Sequence, residues 1–311
     1  AILANKELPM TLPAASVADY PDLEYRGLHF DVARNFTPKE DIFRLIDLLS
    51  LYKMNILHLH LTDDEGWRLE VPGLEELTEV GARRGHTLTE SDRLYPLYGS
   101  GWNPDADTPG SGYYSCKDFG EILRYAARHH IRVIPEIDIP GHSRAAIKAM
   151  NARYARYIAT DPDRAREYLL ADSCDASVYR SAQDYTDNVM NIAMPSAYRF
   201  VRKVLSELRR MYEAAGVELS VVHIGGDEVP RGAWSDSPIC REFMARNGLA
   251  DTHALKDHFV RWLYGELDAA GIQLAGWQEI VMLPDGRHVN RQLPGRRILS
   301  YGWNTQPGAS F

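Results

Sequence analysis

One unit recurs through most of this chain: a short apolar run followed by a segment whose apolar residues return at helical spacing. That alternation limits the fold more than any other feature. Residues 25–31 form the first apolar run and end in Asp31; residues 38–52 follow, with Ile42, Leu45, Ile46 and Leu49 on one helical face. Thr37 is placed to cap that helix, with Pro38 at its first position and Glu40 completing a capping box. Residues 55–61, 131–137, 219–224, 272–277 and 297–303 read as further strands, and 117–130, 143–156, 195–215 and 253–270 as helices. Several runs are apolar on both faces, as in a parallel sheet covered by helices. Repeating βα units favour a (β/α) barrel or an open doubly wound sheet. No GxGxxG follows the first strand, so a dinucleotide fold has no support. Residues 71–115, rich in Gly, Pro and Tyr without a clear period, read as loop. Residues 1–24 read as a lead-in, and 25–311 as a partial barrel domain.

Composition narrows the partners. A formal net charge of -8 disfavours nucleic acid. No run is long and apolar enough for a membrane span, and the first ten residues lack the features of a signal peptide. Cys116, Cys174 and Cys240 are far apart and lack metal-ligand spacing, which favours inert thiols and leaves one disulfide open.

The strand ends carry the chemistry. The second strand runs into Asp63-Asp64-Glu65-Gly66-Trp67, the third into Glu136-Ile137-Asp138-Ile139-Pro140-Gly141-His142, and the fourth into Gly225-Gly226-Asp227-Glu228. The fifth and sixth end at Trp277 and Trp303. In a barrel all these ends meet on one face, where active sites form. That convergence favours the barrel. Adjacent carboxylates after an apolar strand repel, which is expected to raise the proton affinity of one of them. A carboxyl that keeps its proton can protonate the leaving oxygen of a glycoside. Gly225 and Gly226 would let the chain turn so that both acids face the pocket. Asp63-Asp64-Glu65 lacks the loop pattern of a calcium or magnesium site. Neither GxSxG nor a Cys/His signature is present, so acyl chemistry has no support.

Four blocks resemble the signatures of glycoside hydrolase family 20: Tyr25-Arg26-Gly27-Leu28-His29-Phe30-Asp31-Val32-Ala33-Arg34-Asn35-Phe36, His58 through Arg68, Pro135 through His142, and His223 through Glu228. Glu65-Gly66-Trp67-Arg68 is most similar to the bacterial chitobiases. The resemblance implies a (β/α)8 TIM-type barrel and an exo-acting, retaining β-N-acetylhexosaminidase that removes terminal GlcNAc or GalNAc. It implies Glu228 as acid and base, Asp227 orienting the substrate's 2-acetamido group, and Asp63 and His142 as a relay behind Glu228. Arg26 would hold sugar hydroxyls, and Trp277 and Trp303 would line the pocket. The acetamido oxygen would attack C1 to give an oxazolinium ion, the substrate-assisted route. No metal or organic cofactor is implied, and a periplasmic or secreted location is expected. Two other readings stay open, a carbohydrate-binding protein without catalysis and a two-carboxylate glycosidase. About six of eight βα units are visible, and the Tyr, Trp and Glu that the family carries on later strands have no match. Weak or absent turnover by this chain alone is therefore expected.

Overall fold

The computed structural model describes residues 14, 16–106, 108–285, 288–293 and 298–303. The parallel strands are β1 (Gly27–Asp31), β2 (Ile56–Asp63), β4 (Arg132–Ile137), β5 (Val221–His223), β6 (Gln273–Trp277) and β7 (Leu299–Tyr301); the two-residue β3 (Gly66–Trp67) turns back antiparallel on β2. The helices are α1 (Lys39–Leu51), α2 (Glu76–Glu79), α3 (Cys116–Arg128), α4 (Arg144–Tyr157), α5 (Pro162–Arg166), α6 (Pro195–Ala215), α7 (Pro238–Asn247) and α8 (Thr252–Ala269). The sheet order is β1-β2-β4-β5-β6-β7, so parallel neighbours follow chain order. A doubly wound sheet reverses direction part-way; this one does not. The sheet curls until Tyr25, just before β1, packs edge-on against Tyr301 of β7 with ring centroids 5.9 Å apart. This is an α/β fold of the TIM-barrel type, with six parallel barrel strands among the described residues.

The pleat of β2 shows how the sequence builds two layers. Leu57, Leu59 and Leu61 face outward into the main core beneath the helices, while Ile56, His58, His60 and Thr62 alternate with them. All eight residues of β2 are buried, as a strand covered on both sides requires.

The helices begin and end where local chemistry dictates. Ser115 and Asp118 form a reciprocal capping box at the start of α3, and Gly216 closes α6 in the left-handed region at φ 68°. The box expected at Thr37 does not form: α1 begins at Lys39, Pro38 stands at its cap, and the Thr37 carbonyl accepts the Tyr114 hydroxyl at 2.6 Å. The insert over 71–115 is mostly irregular, apart from the single turn of α2. Arg68 fastens it. Its buried guanidinium donates to the carbonyls of Ala33, Ala82, Gly110 and Gly112, and burial lowers its pKa to about 9.

Of the expected lead-in, residues 1–13 and 15 lie outside the described residues. Cys116, Cys174 and Cys240 are all free thiols. No helix among the described residues is long and apolar enough to cross a membrane.

Candidate active site

The C-terminal ends of the strands surround a cavity of about 260 Å³. Asp63, His142, Asp227 and Glu228 line it, with Trp277 on one side and Trp303 at the rim, about half exposed. Six of the seven residues singled out from the sequence therefore converge.

Arg26 does not. It precedes β1 and sits at the opposite end of the strand, where Nε donates to the Lys53 carbonyl at 2.7 Å and Nη1 to that of Leu23 at 2.5 Å. The guanidinium at the cavity is Arg34. Asp31, at the end of β1, accepts from the backbone N–H groups of Ala33 and Arg34 at 2.9 and 3.1 Å and so shapes the turn that delivers the side chain. Arg34 then meets Asp31 at 2.9 Å, Asp63 at 2.7 Å and Glu65 at 3.2 Å. Strand direction was the signal available in the sequence: a side chain before a barrel strand points to the face away from the site.

The acidic turn is held tightly. Gly225 and Gly226 have φ of 62° and 82°, and Glu228 itself lies at 47°. A Cβ on Gly225 would fall 2.0 Å from Asp138 Oδ1, and one on Gly226 would fall 2.2 Å from Ile280 Cγ2. Asp138 Oδ1 in turn accepts the Gly226 N–H at 3.1 Å. Left-handed backbone at a non-glycine residue is the kind of strain found where a side chain must be aimed.

Behind the turn runs a string of paired charges. His142 Nδ1 meets Asp63 Oδ1 at 3.2 Å and Asp64 Oδ2 at 3.3 Å. Its Nε2 faces Glu228 Oε2 at 3.5 Å and Asp227 Oδ2 at 3.8 Å, so both acids lean on one nitrogen. Burial opposes the charge on Asp63, but His142, His60 and Arg34 hold its carboxyl far below the usual range. Burial likewise opposes charge on His142, and Asp63 and Asp64 outweigh it, so its proton affinity lies well above that of an ordinary imidazole.

The two acids diverge in the sense expected for a pair, but not for the expected reason. Asp227 is raised, chiefly by burial, and its Oδ1 is buried without a hydrogen-bond partner among the described residues. Glu228 is lowered, first by His142 and then, against the effect of burial, by Gln183, whose amide donates to Oε2 at 3.1 Å. Gln183 lies on an irregular polar stretch and carried no sequence signal. Glu65, contacted by Arg34, Tyr98 and Tyr185, is raised to about 7 by burial and then by Asp63.

Among the described residues four triads bring possible metal-ligand atoms within 4.8 Å of one another: Asp63/Asp64/His142, Asp138/His142/Asp227, His60/Glu136/Asp138 and His29/His58/Glu136. Asp63, Asp64 and His142 already spend those atoms on each other. A second cavity, of about 480 Å³, shares Trp303 but lacks both acids.

The catalytic-domain model of Glycosyl hydrolase family 20 matches residues 23–310. The chain belongs to that family. Beta-hexosaminidase B of Pseudoalteromonas piscicida is 45% identical over 87% of this chain and 34% of its own length. The N,N'-diacetylchitobiase of Vibrio harveyi is 41% identical over 91% of this chain and 35% of its own. Among solved structures, the family 20 exo β-N-acetylglucosaminidase of Vibrio harveyi, in complex with N-acetylglucosamine, superposes with a TM-score of 0.77 at 36% identity, covering 92% of this chain and 39% of that one. The family 20 chain described here thus spans about a third of the length of the curated relatives it matches.

Proposed function

We propose that this chain carries the acid/base centre of a retaining, exo-acting β-N-acetylhexosaminidase that removes terminal β-linked GlcNAc or GalNAc from oligosaccharides. The observation that carries the reading is the Asp227–Glu228 pair facing one imidazole, with Asp227 Oδ1 buried and without a hydrogen-bond partner among the described residues. A retaining enzyme with a protein nucleophile needs its two carboxyls facing each other across the sugar. Here both acids spring from one turn, which leaves the nucleophile's place to the substrate.

Glu228 protonates the glycosidic oxygen as the C1–O bond breaks. The acetamido oxygen closes on C1 to form an oxazolinium ion. Asp227 accepts the acetamido N–H and offsets the positive charge that grows on nitrogen. Glu228, now a carboxylate, takes a proton from the water that reopens the ring at C1, and the β-configuration is retained. His142 and Asp63 hold Glu228 in place. Arg34, not Arg26, is positioned to bind sugar hydroxyls, and Trp277 supplies an apolar wall for the ring.

The test is hydrolysis of an aryl N-acetyl-β-glucosaminide by the full-length protein, with Glu228→Gln as control and a thiazoline mimic of the oxazolinium ion as inhibitor. Expected are β-GlcNAc as first product, a loss of at least about 10³-fold in the variant and competitive inhibition by the thiazoline. Equal rates on a glucoside without the acetamido group, or indifference to the thiazoline, would overturn the reading.

A further inference from the structure

The interior of a (β/α) barrel is ordinarily packed in layers of branched apolar side chains. The bottom layer here obeys that rule, since Ile56, Ile134, Val221 and Ala275 form an apolar cluster. The layer above it, on the way to the cavity, does not. Glu136 of β4 is fully buried, and nitrogens of five aromatic rings surround its carboxylate. Oε2 lies 3.1 Å from His29 Nε2 of β1, 2.8 Å from His58 Nε2 and 3.0 Å from His60 Nδ1, both of β2. Oε1 accepts from Trp277 Nε1 of β6 at 3.0 Å and lies 3.1 Å from His223 Nδ1 of β5. One carboxylate therefore ties four strands to β4. Burying an ion for stability alone is a poor bargain, because apolar packing of similar volume does as well or better.

What these contacts reach indicates their use. Trp277 walls the cavity. His60, through its other nitrogen, holds Asp63 Oδ2 at 2.7 Å, and Asp63 holds the His142 that faces Glu228. Glu136, His60, Asp63, His142 and Glu228 thus form a line in which carboxyl groups alternate with imidazoles.

We propose that Glu136 is a positioning residue: through Trp277 it fixes the wall for the sugar ring, and through His60, Asp63 and His142 it fixes the acid, so that wall and acid keep one spacing. The proposal rests on the hexosaminidase reading above. The protonation states agree with it. Burial opposes charge on His60, yet Glu136 and Asp63 raise its proton affinity well above that of an ordinary imidazole. Burial also opposes charge on Glu136, and His60 and His223 hold its carboxyl well below the usual range. His58, at the same carboxylate, is pushed down to about 4 by burial and is neutral.

The test compares Glu136→Gln, His60→Gln and the double variant in the full-length protein. A glutamine at 136 keeps the shape and one acceptor for Trp277, but it cannot accept from both sides. Expected is a fall of about 30- to 100-fold in kcat/KM for Glu136→Gln, a smaller fall for His60→Gln, and a double variant no slower than Glu136→Gln alone, because His60 lies downstream of it. In 15N spectra of histidine-labelled protein followed over pH, His60 should lose its proton at a lower pH in Glu136→Gln than in the wild type, because Asp63 alone then holds it. If Glu136→Gln does not fold, His60→Gln alone carries the kinetic test. Rates within about threefold of wild type, losses that multiply in the double variant, or a His60 titration unchanged by Glu136→Gln would overturn the proposal. A wild type that hydrolyses nothing would sink the hexosaminidase reading, while the histidine spectra would separately test the Glu136–His60 link, which an unchanged His60 titration would overturn.

Discussion

Replacing Asp63 by Asn should be among the most damaging single changes this site can suffer. Asp63 Oδ2 meets Arg34 Nη2 and His60 Nε2, each at 2.7 Å, and Oδ1 meets His142 Nδ1 at 3.2 Å, in a side chain that is 1% exposed. Water does not screen contacts this deep, and breaking a buried charge pair by removing one partner costs about 3–5 kcal/mol. Asn returns one acceptor oxygen and turns an NH2 toward a cation, so the loss should sit in that range at pH 7. The pH dependence has a definite sign. Burial opposes ionisation of Asp63, but His142, His60 and Arg34 depress its folded pKa far below the unfolded value of about 3.9. The folded state therefore binds fewer protons than the unfolded one. The contribution is complete above about pH 4 and is lost as pH falls from there toward the folded pKa. Urea unfolding of both proteins, followed by tryptophan fluorescence at pH 7, 5 and 3, should show a full gap at the first two and a narrower one at the third. A gap below about 1 kcal/mol at pH 7, or one that widens on acidification, would refute the reasoning.

Arg34→Ala should reduce kcat/KM by about 10²-fold or more, while Arg26→Ala should stay within about threefold, because only Arg34 reaches the cavity; steady-state kinetics on an aryl N-acetyl-β-glucosaminide separates them. Arg68→Lys, with fewer donors than the four carbonyls need, should destabilise by about 2–4 kcal/mol in urea unfolding, leaving buried carbonyls unpaired. Gly225→Ala drives a Cβ into the Asp138 carboxylate at a positive φ, so thermal melting should show a loss of about 2–4 kcal/mol. Asp227 is raised by burial, so kcat/KM should fall on acidification through a pKa above that of an ordinary aspartate, and Asp227→Asn should abolish activity while stabilising the fold at neutral pH. The stability sign follows because a raised folded pKa penalises the folded state at every pH above it.

The helices and strands were legible because their signals are local and repeated. α6 matches the expected 195–215 residue for residue, opened by Pro195 and closed by Gly216. Short elements such as α5 and α7 carry too few turns for a period to show. The site was legible wherever a residue directly follows a strand, as with Asp63, Asp227 and Trp277. Arg26 and Arg34 flank β1 within one signature block, and only strand polarity distinguishes them. Gln183 reaches Glu228 from 45 residues away on an irregular stretch, and no periodicity encodes such a contact. The Leu/His alternation of 56–61 was visible, but the fact that its histidines converge on Glu136 depends on the register β2 takes against β4, pairing His60 with Glu136.

The proton affinities of the two acids are ordered opposite to what the proposed mechanism needs. His142 lowers the proton affinity of Glu228, while burial raises that of Asp227. A sugar seated in the cavity changes both environments. It excludes water from the part-buried Glu228, and desolvation favours the neutral acid. The acetamido N–H, donated to Asp227, favours the carboxylate there. Filling the pocket therefore moves proton affinity from Asp227 to Glu228, two residues of one turn sharing one imidazole nitrogen. On this account Glu228 becomes a general acid only when a ligand with both a ring to fill the cavity and an N–H to offer is bound. A sugar without the acetamido group would supply the first effect and not the second, so specificity for N-acetylhexosamines would reside in the protonation of the acid as well as in the supply of the nucleophile.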